Sequence, residues 1–150
     1  MLDMPSTHTS LWYHIVFSTK NRVPQIAEEW RPRLHEYIGG CIRGLGGVPI
    51  EIGGVADHVH ALVILKPAHA PADIVREVKK ASTSWVHQSL DSKFAWQDGY
   101  GAFTVGRSER DAVQAYVRGQ EKHHRRVSFQ DEYVRLLADL GIEYDPRYLW

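Results

Sequence analysis

Between His58 and Leu65 the chain reads HVHALVIL, a run with apolar side chains at both odd and even positions. Successive side chains of a strand point to opposite faces. Val59, Ala61, Val63 and Leu65 therefore share one face, and Leu62 and Ile64 share the other with His58 and His60. A strand apolar on both faces belongs inside a sheet that is covered on both sides. The rest of the chain must supply those covers, one of them over the histidines.

The flanking segments supply them in a recognisable order. Ser10 to Thr19 (SLWYHIVFST) is aromatic and β-branched and predicts a first strand, closed by the polar turn KNRVP. From Ile26 to about Leu45 apolar residues recur at helical spacing (Ile26, Trp30, Leu34, Tyr37, Ile38, Cys41, Ile42, Leu45) before a glycine cluster, which predicts an amphipathic helix. Val48 to Val55 and His58 to Leu65, separated by Ala56-Asp57, predict an antiparallel hairpin. Pro71 to about Leu90 predicts a second helix with Ile74, Val75, Val78, Trp85 and Val86 buried, and Tyr100 to Val105 a fourth strand. The order β-α-β-β-α-β is the ferredoxin-like α+β arrangement, an antiparallel sheet with two helices on one face. Ser108, with Asp111 three residues on, then predicts the N-cap of a third helix carrying Val113, Tyr116, Val117 and Gln120, able to cover the open face. Phe129 to Leu140 predicts one more helix, ended by Gly141.

Composition narrows the function classes. The 150 residues, 43% hydrophobic, fit one domain spanning 1–150. Lys+Arg and Asp+Glu are both 18, so any nucleic-acid partner must be held by local patches. The lone Cys41 excludes an internal disulfide framework; neither a signal peptide nor a membrane-length apolar segment is present, so a reducing cytoplasm and no membrane partner are expected.

His58 and His60, on one face of a strand, form a two-ligand clamp for a metal, although a His-x-His pair alone carries little weight. Tyr116 and Gln120 are four residues apart and fall on one face of a helix. If that helix crosses the sheet near the pair, the Gln120 amide oxygen can be a third ligand and the Tyr116 phenol can attack a phosphate polarised by the ion. On spacing alone, packing and solvent-facing roles are the commoner ones for such a pair.

Together, DHVHALVIL, WQDGYGAFTV, AYVRGQEKHH, FQDEY and GIEYDPRYLW resemble the insertion sequence 200/605 type of single-tyrosine transposases, also called HUH transposases. The resemblance runs from WYHIVFSTK onward and keeps the motifs in order: His-hydrophobic-His on a central strand, then Tyr and, four residues later, Gln on a late helix. It implies that His58, His60 and Gln120 hold a divalent ion, Mg2+ or Mn2+, and that Tyr116 is the nucleophile. It also implies a single-stranded DNA substrate with imperfect hairpins, a 5′-phosphotyrosine intermediate and rejoining without a nucleotide cofactor. A homodimer in the bacterial cytoplasm, nucleoid-associated when on DNA, completes the expectation. An imidazole pair suits manganese better than magnesium, which prefers oxygen ligands.

DNA contacts are expected from Arg118, Lys122, Arg125 and Arg126, set against Glu121 alone, or from Lys79, Lys80, Ser82 and Ser84 beside Trp85 on the second helix. Solvated faces explain these residues equally well. Asp57, next to the pair, can orient a histidine, whereas His123 and His124 are not expected to be ligands. Two other functions remain open at this point. A hydrolytic metalloenzyme lacks a His-Glu-x-x-His motif and paired carboxylates; a non-catalytic RNA-binding sheet would use the aromatic first strand, but its consensus is absent. A phosphate-loop nucleotidase is disfavoured because neither GGCIRGLGG nor GYGAFTVG ends in Gly-Lys-Ser/Thr.

Overall fold

Four strands, β1 (Trp12–Ser18), β2 (Val48–Gly54), β3 (His58–Ile64) and β4 (Gly101–Thr104), pair antiparallel in the order β2-β3-β1-β4 in the computed structural model, which describes residues 6–149. Trp150, the last residue of the GIEYDPRYLW stretch, lies outside the described residues. The doubly apolar run is β3, interior as its sequence requires, between β1 and β2. With helices α1 (Arg31–Gly44) and α2 (Pro71–Ser89), the element order is the ferredoxin-like one.

The odd-numbered face of β3 meets α1 and α2. Val59, Ala61, Val63 and Leu65 pack with Ile15 and Phe17 of β1, Leu34, Ile38 and Ile42 of α1, and Ile74, Val75, Val78 and Val86 of α2. Ile26 and Trp30 join this core from outside α1, because the helix starts only at Arg31 with Pro32 in its first turn, where a missing N–H costs nothing. Trp85 is half-buried and stacks on Tyr37, with centroids 4.9 Å apart, rather than filling the core.

The other face is covered by three further helices: α3 (Arg110–Arg118), α4 (Gln120–His123) and α5 (Phe129–Asp139). Two expectations fail here. Ser108 is not an N-cap; it lies within a 3-10 turn, Arg107–Glu109, through which the chain enters α3, and Glu109 occupies the cap position without a side-chain hydrogen bond. The third helix also does not run through Gln120. It ends at Arg118, and Gly119, a poor helix former, separates it from α4. Ser128 caps α5 by accepting from the Asp131 amide.

Candidate active site

Cross-strand register gathers the polar residues of the second face. Val16 lies opposite His60, Ser18 opposite His58 and His14 opposite Leu62, so His14 shares a face with both members of the pair. Across β2, Gly53 lies opposite His60. A Cβ on Gly53 would stand 2.0 Å from the Val117 carbonyl oxygen, so only glycine lets the α3 backbone lie this close to the sheet. That approach brings Tyr116, the neighbour of Val117, over the histidines: its ring centroid is 5.5 Å from that of His60 and 6.0 Å from that of His14.

The predicted site residues converge within one chain. Gln120 Oε1 lies 3.1 Å from His58 Nε2 despite the break at Gly119, while its amide nitrogen donates to the Tyr116 carbonyl and to Glu132. Asp57 orients His58, accepting at Oδ1 from Nδ1 at 2.7 Å. His60 Nδ1 is 2.7 Å from His14 Nε2. The remaining nitrogen of each ring, Nε2, faces inward.

Glu132 occupies the centre of this arrangement, and sequence reasoning missed it. Its Oε1 lies 3.0 Å from His60 Nε2 and 3.4 Å from His58 Nε2. Its Oε2 accepts from the Tyr116 hydroxyl and lies 3.1 Å from Nε2 of both His123 and His124. Phe129, stacked on His58 with centroids 4.2 Å apart, anchors the start of α5 and turns Glu132, three residues on, to the same side. The available signal was a carboxylate on the apolar stripe of Phe129, Tyr133 and Leu136, where a solvated residue does not belong. His124, set aside in the sequence, also turns inward.

Burial and neighbours fix the protonation of this cluster. Burial alone would raise the Glu132 carboxyl, but the surrounding His124, His58 and His60 rings hold it far below the usual carboxylate range. His60, fully buried, falls to about 4, chiefly through desolvation, and His14 to about 3 by burial and the neighbouring His60. Burial also opposes the charged form of His58, yet its bonds to Asp57 and Glu132 outweigh this and the net shift is upward. The Tyr116 phenol is pushed above its ordinary value by burial and then by its hydrogen bond to Glu132.

The donor chemistry fits a divalent ion. Ligand atoms of His58, His60, His124 and Glu132 all lie within 4.8 Å of one another, and the neutral form in which His60 is held is the one that coordinates. A groove of about 480 Å³ is lined by Tyr116, Lys122, His123 and Arg126.

A family described as "Transposase IS200 like" matches residues 7–120. The chain belongs to this family. Among solved structures, a protein from Deinococcus radiodurans R1 assigned as a transposase superposes with a TM-score of 0.64 at 23% identity, over 80% of this chain and 98% of that one. A REP-associated tyrosine transposase bound to a REP hairpin gives 0.61 at 15% identity, over 83% and 74%. These likenesses establish the transposase fold. Comparison with curated proteins gives no match.

Within this transposase fold the second predicted DNA surface loses Lys79 and Ser82 to internal bonds, while Lys80 and Ser84 stay exposed. Lys79 donates to the Gln97 and Gly99 carbonyls, Ser82 is buried and bonded to Val78 and Trp96, and the helix lies on the face away from the histidines. Arg118 is paired with Glu51 at 2.8 Å. Lys122 and Arg126, both exposed, remain beside Tyr116. Helices pack on both faces of the sheet, so neither face is left open in the way an RNA-binding sheet requires. No helix among the described residues is long and apolar enough to cross a membrane.

Proposed function

We propose that this transposase is a single HUH domain that cleaves and rejoins single-stranded DNA bearing imperfect hairpins, with Tyr116 as nucleophile and His58, His60 and Gln120 holding Mg2+ or Mn2+. The observation that carries the reading is that the Tyr116 hydroxyl and the two inward Nε2 atoms meet on one carboxylate, Glu132. When bound, the ion polarises the phosphate oxygens and stabilises the charge that develops on them.

Tyr116 is protonated at rest, so its proton must leave as the new bond forms. Glu132 accepts that hydrogen bond and so orients the phenol, but a carboxylate held this acidic is too weak a base to keep the proton, which passes on to water. The phenolic oxygen bonds to phosphorus, the bond from phosphorus to the 3′ oxygen breaks, and that oxygen leaves with a proton from water. The products are a 5′-phosphotyrosine link and a free 3′-hydroxyl. Attack of such a hydroxyl on the link rejoins strands and returns Tyr116, so no nucleotide cofactor is needed. Lys122 and Arg126 line the approach and suit the phosphate backbone. The hairpin-bound relative supports hairpin DNA as the ligand. Two copies, each holding one end, would act in the cytoplasm as a homodimer.

The test is incubation with single-stranded flanking DNA and Mn2+, followed by denaturing gel electrophoresis. Wild type should give a covalent protein-DNA band that Tyr116→Phe abolishes while still binding the hairpin. An adduct of equal yield in the variant would remove Tyr116 from the chemistry.

A further inference from the structure

His124 and Glu132 lie beyond residue 120, where the family match ends. The inward-facing ring of His124 has a defined tautomer. Its Nδ1 donates to the Val127 carbonyl at 2.6 Å, and a carbonyl oxygen only accepts, so a neutral His124 carries its proton there. Nε2 is then a bare lone pair. It is buried and without a hydrogen bond, yet Glu132 Oε2 stands 3.1 Å away. Two acceptors facing each other in a buried site need positive charge between them, which a proton on Nε2 or a bound metal ion supplies.

His58 and His60 share this orientation, without its fixed tautomer. Each engages Nδ1, with Asp57 and His14 respectively, and turns Nε2 toward the same carboxylate. Rings fixed through the nitrogen away from the centre are the usual support of metal-ligating imidazoles.

Given the reading of the His pair as an ion clamp, we propose that His124 and Glu132 are also ligands, so that one chain builds a centre of three imidazole nitrogens and one carboxylate oxygen. Gln120 Oε1 is a further oxygen donor beside it. Such a nitrogen-rich set binds Mn2+ and later transition ions in preference to Mg2+, which favours oxygen ligands and keeps its waters. The selected cofactor class is therefore a transition ion.

Electron paramagnetic resonance of Mn2+ added to metal-free full-length protein tests this, since the free aqua ion is read directly. Glu132→Gln and His124→Gln should each weaken Mn2+ binding at least tenfold, and a hundredfold excess of Mg2+ should leave Mn2+ bound to wild type. Circular dichroism establishes that the variants are folded. Electron spin echo modulation of Mn2+ in the unmutated protein counts imidazole nitrogens without any substitution: three support the centre and two overturn it. Wild-type affinity in both Gln variants, with binding lost in His60→Ala, overturns this proposal and leaves the His-pair clamp standing. Displacement of Mn2+ by equimolar Mg2+ overturns the selectivity. Failure of wild type to bind Mn2+ removes the clamp itself and this centre with it.

Discussion

One sheet carries two faces built on opposite terms. Toward α1 and α2 it presents Ile15, Val59, Ala61 and Val63 to aliphatic partners such as Leu34 and Ile38, all buried. Toward α3, α4 and α5 it presents His14, His58 and His60 to Gln120 and Glu132, equally buried and polar, flanked by Val16 with Phe103, Phe129 and Leu137 and by Leu62 with Val105 and Val117. The first face gains stability from every contact, at about 25 cal/mol per Å² of apolar area removed from water. The second also gains from its apolar flanks, but at its centre it must satisfy each polar atom it hides. The chemistry is thus confined to one side of the sheet, inside an apolar frame.

Truncation on the aliphatic face should give the largest stability effect. Ile38 is fully buried among α1, α2 and the sheet, so Ile38→Ala should cost about 2–5 kcal/mol in urea unfolding. The folded fraction should still form adduct at the wild-type rate per active molecule. A specific loss of adduct formation without loss of stability would break the division of labour between the faces.

Next in size is the seat of α3. Gly53→Ala places a methyl against the Val117 carbonyl and should cost about 1–3 kcal/mol as the helix is pushed off the sheet. Because Tyr116 moves with it, adduct yield should fall about a hundredfold, as expected for a nucleophile displaced by roughly 1 Å. Unchanged stability and yield would mean that β2 does not position the proposed nucleophile.

This contrast also explains what was legible in the sequence. The aliphatic face follows from periodicity, because apolar burial repeats every two residues in a strand and about every 3.6 in a helix. The order of elements along the chain, α2 and the shared face of His58 and His60 were readable for that reason. The polar face depends on a helix ending where glycine allows, at Gly119, and on Phe129 stacking over His58. Neither is periodic. Glu132 and His124 come from later segments whose position depends on tertiary contact, and His14 looked like one polar residue in an aromatic strand.

Titration is concentrated on the histidine face, although His35 of α1 also falls to about 4 through burial and the neighbouring Arg31 and adds to any acid destabilisation. His14 and His60 fall from 6.5 to about 3 and about 4 in the fold. Between those values the unfolded chain binds more protons. Their contribution is therefore complete above about 6.5 and is lost as pH falls toward the folded values, at up to about 1.4 kcal/mol per pH unit for each group. His58, shifted upward, works in the opposite sense, its contribution being lost as pH rises through its folded value. Urea unfolding of metal-free protein from about pH 7.5 down to about pH 4 should show net acid destabilisation, and His14→Asn should make the slope shallower. An unaltered slope would mean that His14 is not held neutral by the fold.

The smallest effect concerns the rim of the polar face, where charge meets solvent. Lys122 and Arg126 are exposed beside Tyr116, whereas Arg118, equally exposed, is paired with Glu51. If the two free-standing cations contact backbone phosphates, each neutralises one and releases its counterion, worth about 0.7 in the slope of log affinity against log salt for a single strand. Replacing both by alanine should lower that slope by about 1.4 and weaken binding severalfold at moderate salt, with adduct formation retained at saturating DNA. Arg118→Ala should change the slope much less, because Glu51 already offsets its charge. Equal losses from Arg118 and from the Lys122/Arg126 pair would place the strand along β2 instead of in the groove, and the DNA would then reach the histidines past Glu51 rather than past the tyrosine.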